Sequence, residues 1–295
     1  MLKINPSLLI LCISLLPNQS WADNEWFTQQ DSITNAHKAL LSGDLKKSFD
    51  AMVEAWQNEP EAHVTNHLNG LLWKGLESDC GRGFDTSGYP SWLNNVVIER
   101  QVIQSPGRLN YRLNYRLNIR ASTNSNVSEI SFVKWPDKAL LSNAKLSKDN
   151  SASTGKLNYS VQIDRNTEIG NGLYKIRIKT QSGNSWEDWI VLGQPDSAQS
   201  IRWVSKDSWA IDKTALLNRF CPLPILDISL YGNIEGHYKK VWSQAFETKY
   251  PETLPQSTLP NNRYLLDVSM THKRWQGLIS IEYKQIINKA YDLSN

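Results

Sequence analysis

The hydrophobic period of this chain changes once, at Asp79-Cys80-Gly81, and that change fixes the fold class. Before it, apolar residues recur at helical spacing; after it, they alternate with polar ones, as strands require. The chain therefore reads as α+β and mainly β. A short N-terminal helical bundle precedes two antiparallel β-sandwich, immunoglobulin-like modules.

The helical part starts near Asp31. Ile33, Ala36, Leu40 and Leu41 mark a first helix, and Leu45, Phe49, Met52, Val53 and Trp56 mark a second. Ser42-Gly43-Asp44 separates them, with Asp44 an expected N-cap. Pro60 ends the second helix, and Val64, Leu68, Leu71, Leu72 and Leu76 carry a third. Gly43, Ser48, Met52, Ala55 and Pro60 resemble the second half of a tetratricopeptide repeat. The first helix lacks that family's Trp, Gly and Tyr positions, and no neighbouring copy follows. A single repeat cannot bury its own face, so the reading is a small bundle docked on the rest.

Beyond Gly81, strand-like runs lie near Val96–Gln104, Arg108–Arg120, Val127–Trp135, Leu157–Ile163, Leu173–Thr180 and Trp186–Leu192. Gly193–Ser200 reads as a linker. A second series follows near Ile201–Val204, Ile225–Tyr231, Tyr238–Phe246, Tyr264–Met270 and Leu278–Ile286. Short strands between such turn signals imply sandwiches. The expected divisions are a leader at 1–22, helices at 23–80, and modules at 81–194 and 201–295. The two modules share an echo: Tyr174 and Tyr264 each open a strand, and a Trp-bearing hairpin follows, with Trp186 and Trp275.

The leader carries an address. Lys3, the apolar run Leu8 to Leu16, and Ser20-Trp21-Ala22 form a secretory signal with cleavage expected after Ala22. The run is too short to span a bilayer unaided. Leu11 before Cys12 argues against a lipid anchor. The expected location is periplasmic, with no transmembrane segment in the mature chain.

The mature chain then keeps only Cys80 and Cys221, and in an oxidising compartment such a pair is most simply a disulfide. Two unrelated buried thiols and intermolecular pairing are the alternatives. A bridge would tie the end of the helices to the start of the last module.

The most regular stretch is Arg108 to Arg120. Alternation puts Leu109, Tyr111, Leu113, Tyr115, Leu117 and Ile119 on one face. Arg108, Arg112, Arg116 and Arg120 stand on the other, roughly 13 Å apart in succession. Such a row could grip phosphates or carboxylates of an envelope polymer; a solvated face that discourages edge pairing is the simpler alternative. Among the 12 Trp residues, Trp275 in the expected loop His272-Lys273-Arg274-Trp275-Gln276-Gly277 is the best candidate for an exposed functional aromatic, with Lys273 and Arg274 beside it. The other strand tryptophans, Trp186, Trp189, Trp203, Trp209 and Trp242, read mainly as core.

Signals for chemistry are few. A net charge of +3 gives nucleic-acid binding no support. His63 and His67 are four apart, with Glu59 one turn back, but no third ligand or metalloprotease glutamate accompanies them, and His67 is expected on the apolar stripe with Val64 and Leu71. Gly-x-Ser-x-Gly and phosphate-cradling Gly loops are absent. No cofactor or metal is expected. Glycosidase carboxylates meet only in the fold, so a concealed pair stays open.

Asp79-Cys80-Gly81, Gln104-Ser105-Pro106-Gly107-Arg108, Ser205-Lys206-Asp207-Ser208-Trp209, Cys221-Pro222-Leu223-Pro224 and Ser269 to Gly277 resemble a family of secreted proteins of unknown function from marine, vibrio-type gammaproteobacteria. Some members are encoded beside a two-component sensor system. The resemblance implies an accessory or binding role and supplies no catalytic residues. The expectation is a periplasmic, non-enzymatic protein that binds an envelope protein or an anionic envelope polymer. A carbohydrate- or lipopolysaccharide-binding module and an envelope hydrolase with a carboxylate pair are its rivals.

Overall fold

The computed structural model describes residues 31–58, 62–108, 110–141, 144–149, 156–193, 198–255 and 259–293. The expected leader, Cys12 and the cleavage point lie outside them, as do Glu59, Pro60 and Leu109.

Three helices open the described chain: α1 (Ser32–Leu41), α2 (Leu45–Asn58) and α3 (Ala62–Asp79). Asp31 caps α1 by accepting from the Thr34 amide at 2.7 Å. Asp44 caps α2 as expected, accepting from the Lys47 amide at 3.1 Å. The α1–α2 turn runs through Gly43 at φ +78°, which only glycine adopts without strain. Small residues let the two helices meet closely: the buried Ser48 hydroxyl donates to the Ala36 carbonyl at 2.9 Å. Phe49, Met52, Trp56, Leu68, Leu72 and Leu76 then close a helical core that also takes in Leu173 and Val191 from the β region.

The β region is built differently from two separate sandwiches. Strands β1 (Leu93–Pro106), β2 (Tyr111–Thr123), β5 (Leu146–Asp149), β6 (Leu157–Arg165), β11 (Ile225–Ile234), β12 (His237–Phe246), β13 (Asn262–Gln276) and β14 (Ile279–Leu293) form one eight-stranded sheet. Its order is β12-β11-β13-β14-β1-β2-β6-β5, and it curls into a half-barrel. The join is β1 to β14, parallel, pairing Val97–Gln104 with Ser280–Ile287. This corrects the immunoglobulin-like expectation. The two strands are 14 and 15 residues long, and pairing them satisfies backbone edges that separate modules would expose.

A smaller sheet, β4-β3-β7-β8, comprises Lys138–Ala139, Val127–Lys134, Gly172–Thr180 and Ser185–Leu192. It packs Ile130, Phe132, Ile176, Ile178 and Ile190 against Val96, Ile98, Leu117 and Ile119 of the large sheet. A third pair, β9 (Gln199–Trp203) and β10 (Trp209–Lys213), packs Ile201 and Trp209 on Leu226, Ile228, Leu266, Val268 and Ile287. All these large-sheet residues share one face by alternation and register, so that face is the apolar one. Strand β9 begins within the expected linker, and β10 was missed by the sequence reading.

The expected bridge is present: Cys80 is bonded to Cys221, with Cα atoms 5.1 Å apart across 141 residues of sequence. Three of the family-like motifs meet at it: Asp79-Cys80-Gly81, the one that starts at Cys221, and Ser269 to Gly277. Asp79 accepts the amides of Gly81 and Gly83 at 2.8 and 2.6 Å. Trp275 and Gly277 donate their amides to the carbonyls of Cys80 and Gly81, both at 2.9 Å. The echo between modules also has a physical counterpart. The Tyr264 hydroxyl donates to the Pro260 carbonyl at 2.9 Å, and Tyr174 does the same to Gly170, four residues upstream in each case.

Candidate functional site

The second face of the large sheet is polar. On β2 the buried positions are Leu117, Ile119, Ala121 and Thr123, so Arg116, Asn118 and Arg120 point the other way. Register places Gln101 and Glu99 of β1, Lys284 and Glu282 of β14, and Thr271 and Lys273 of β13 on that same face. Ser269 and Asp267 continue it, next to Asp227, Ser229 and Tyr231 of β11.

The small sheet and the β9–β10 pair both pack on the apolar face, yet Glu99, Gln101, Ser229, Ser269 and Ser280 on the polar face are buried as well. Curling of the half-barrel toward the polar side accounts for that burial and makes this side a trough with its floor out of solvent.

Charges in the trough interleave. Arg120 reaches Glu282 at 2.9 Å and Glu99 at 3.6 Å, and Lys273 reaches Glu282 at 3.6 Å from the other side. Arg116 pairs with Asp164 of β6 at 2.6 Å. The Ser229 hydroxyl donates to Asp227 at 2.8 Å. In the trough, two buried acceptors find no hydrogen-bond partner among the described residues, Asp267 Oδ1 and Gln101 Oε1. Burial pushes the Asp267 carboxyl up to about 6, against the pull of Lys284, Lys240 and Arg116. Tyr231 is raised by its own burial and by Asp267 and Asp227, so its hydroxyl stays a donor at neutral pH.

The sequence-predicted residues divide. Arg112, Arg116, Arg120, Lys273 and Trp275 fall on the trough face by register. Arg108 lies exposed before β2. Trp275 is on strand β13 rather than in a loop, half-buried, with the Arg82 guanidinium 3.6 Å from its ring centroid. Arg274 points to the opposite face, where it donates to the Val191 carbonyl at 2.7 Å. There it lines a cavity of about 40 Å³ with Trp73, Leu76, Arg100, Leu192 and His272, room for about three waters. Tryptophan burial is mixed: Trp209 is enclosed, with its indole donating to Pro251 at 2.8 Å, whereas Trp186, Trp189, Trp203 and Trp242 are half-buried.

His67 is exposed rather than on the apolar stripe, and its Nε2 lies 2.8 Å from that of His37 on α1. Among the described residues no three His, Cys, Asp or Glu converge as metal ligands. No described helix is long and apolar enough to cross a membrane.

Sequence reading missed Asp267, Asp227 and Tyr231. Their signal was present as alternation: Asp267, Ser269, Thr271 and Lys273 interleave with the buried Leu266, Val268 and Met270. What it lacked was the partner strands.

The chain belongs to the family described as Protein of unknown function (DUF2861), whose model matches residues 26–292. No curated protein matches it.

Proposed function

We propose that the protein is an exported, non-enzymatic binding protein of the cell envelope, and that it holds a glycan chain in the polar trough of its half-barrel. The observation that carries this reading is the trough itself: ion pairs from Arg116, Arg120 and Lys273 to Asp164, Glu99 and Glu282, beside a floor of buried polar side chains. A surface that interleaves Arg116, Arg120 and Lys273 with Glu99, Glu282 and Asp164 is close to neutral locally. It suits a ligand rich in hydroxyls, which can donate and accept at once, better than a strongly anionic polymer. Planar amide and guanidinium groups supply direction, the unpartnered Asp267 oxygen accepts a hydroxyl, and Tyr231 offers a ring. Export is supported by the sequence signal at 1–22 and by the disulfide. The resemblance to secreted proteins encoded beside a sensor system fits an accessory role in envelope sensing.

The test is retention of the purified protein on insoluble peptidoglycan and on immobilised lipopolysaccharide. The expected result is retention that is lost in Asp267→Asn and Arg116→Ala. Capture of an envelope protein with no polymer retained contradicts the reading.

One observation favours a hydrolase instead. Asp267 and Asp227 share the trough, and the carboxyl of Asp267, raised by burial and also by Asp227, suits a general acid beside a second carboxyl group. Release of soluble glycan fragments, abolished by either Asp→Asn substitution, would select that reading.

A further inference from the structure

The segment joining β10 to β11 exposes more apolar surface than a connection needs. Leu216 is 97% exposed, Leu223 50% and Phe220 44%. Exposed side chains of this kind, grouped on one short segment, mark a contact surface. The segment is also pinned in place. The Thr214 amide donates to the Ala198 carbonyl at 2.9 Å, and the Asn218 side chain donates to the Leu76 carbonyl of α3 at 2.7 Å. Cys221 is bonded to Cys80. Asn218 further shapes the turn by accepting the Phe220 amide at 2.9 Å, and the Tyr250 hydroxyl holds the Pro224 carbonyl at 2.5 Å. Fixing the backbone in advance removes the ordering cost of presenting these side chains.

Charge selects the kind of partner. From Lys213 to Ile225 the chain carries two cations, Lys213 and Arg219, and no acid. The Arg219 guanidinium lies 4.7 Å from the Phe220 ring centroid, so cation and apolar anchor sit together. At 97% exposure Leu216 projects from the surface, as a tip that enters a soft medium does, and no groove walls surround it. Apolar tips flanked by Lys and Arg fit the headgroup layer of an anionic membrane.

We propose that the disulfide-pinned segment Lys213–Ile225 docks the protein on an anionic lipid surface, with Leu216, Phe220 and Leu223 entering the headgroup–acyl boundary and Lys213 and Arg219 at the phosphates. This contact is separate from the glycan trough and does not depend on it.

Co-sedimentation of the purified mature chain with vesicles tests it, using phosphatidylcholine alone or mixed with phosphatidylglycerol. The expected result is binding to the phosphatidylglycerol vesicles that weakens with added salt. Leu216→Glu or Phe220→Glu should reduce it about ten-fold or more, and Arg219→Glu should remove the preference for anionic lipid. Thermal unfolding of Leu216→Glu should match the parent, since that side chain stands in solvent. Absence of vesicle binding, equal binding to both lipids, binding untouched by Leu216→Glu, or capture of a protein partner in place of vesicles overturns the proposal.

Discussion

The Trp275 amide donates to the Cys80 carbonyl at 2.9 Å, so the turn that ends the helices continues as a rung on the end of β13. Residues almost 200 positions apart are thereby held in register beside the disulfide. The clamp is both covalent and hydrogen-bonded, and it fixes one end of the polar trough.

Removing the bridge with Cys80→Ser and Cys221→Ser should lower unfolding free energy by about 2–5 kcal/mol, because the loop it closes is long. Denaturant unfolding of the oxidised and doubly substituted proteins measures it. Equal stability would mean that the rungs alone hold the junction.

Gly81 should be far less replaceable than Gly236, although both have positive φ, +87° and +83°. A Cβ on Gly81 would stand 2.1 Å from the Trp275 carbonyl oxygen, whereas one on Gly236 meets nothing within 4 Å. Gly81→Ala is expected to cost about 2–4 kcal/mol and Gly236→Ala about 1 kcal/mol. Melting curves of the two variants decide it.

Leu266, fully buried between β13 and the β9–β10 pair, should lose about 2–5 kcal/mol on Leu266→Ala. Leu216→Ala should stay within about 0.5 kcal/mol of the parent. Similar losses at both sites would contradict the assignment of the apolar and exposed faces.

The pH dependence should carry the mark of Asp267. Its ordinary value is 3.8 and its folded value about 6. Between these the folded chain holds a proton that the unfolded chain releases, so this carboxyl destabilises the fold above about pH 6 and ceases to do so as pH falls toward 3.8. Asp188, likewise raised to about 6 by burial and Asp85, adds in the same direction. His37 opposes them: burial and His67 lower it, so the unfolded chain takes up its proton first and stability falls below about pH 6.5. Asp267→Asn should gain of order 1–3 kcal/mol at pH 8 and less at pH 4. Denaturant titrations at the two pH values test the sign.

Local structure was legible because it is written locally. Alternation located β2, β3, β7, β8 and β13, and Asp44 marked the start of α2, since these depend on neighbours in sequence. The Cys80–Cys221 pair followed from there being no other cysteine outside the expected leader. Sheet closure was not legible. The parallel join of Val97–Gln104 to Ser280–Ile287 has no local signature, so the strands were sorted into two bodies instead of one curled sheet. The same gap hid the site. Arg116 was visible as one of a row, but the carboxylate paired with it, Asp164, comes from a strand whose place beside β2 only the fold supplies. Trp275 was placed in a loop because β13 runs six residues past the expected end at Met270, through Gln276, where the Cys80 junction prolongs the pairing.

The central claim, a glycan seated in the trough, is tested most directly by amide chemical-shift mapping while soluble peptidoglycan fragments are titrated into the labelled protein. The account predicts saturable shifts at Arg116, Gln101, Lys284, Asp267 and Tyr231, lost in Asp267→Asn. Shifts confined to the apolar-face strands or the helices, or no shifts at any fragment concentration, would contradict it.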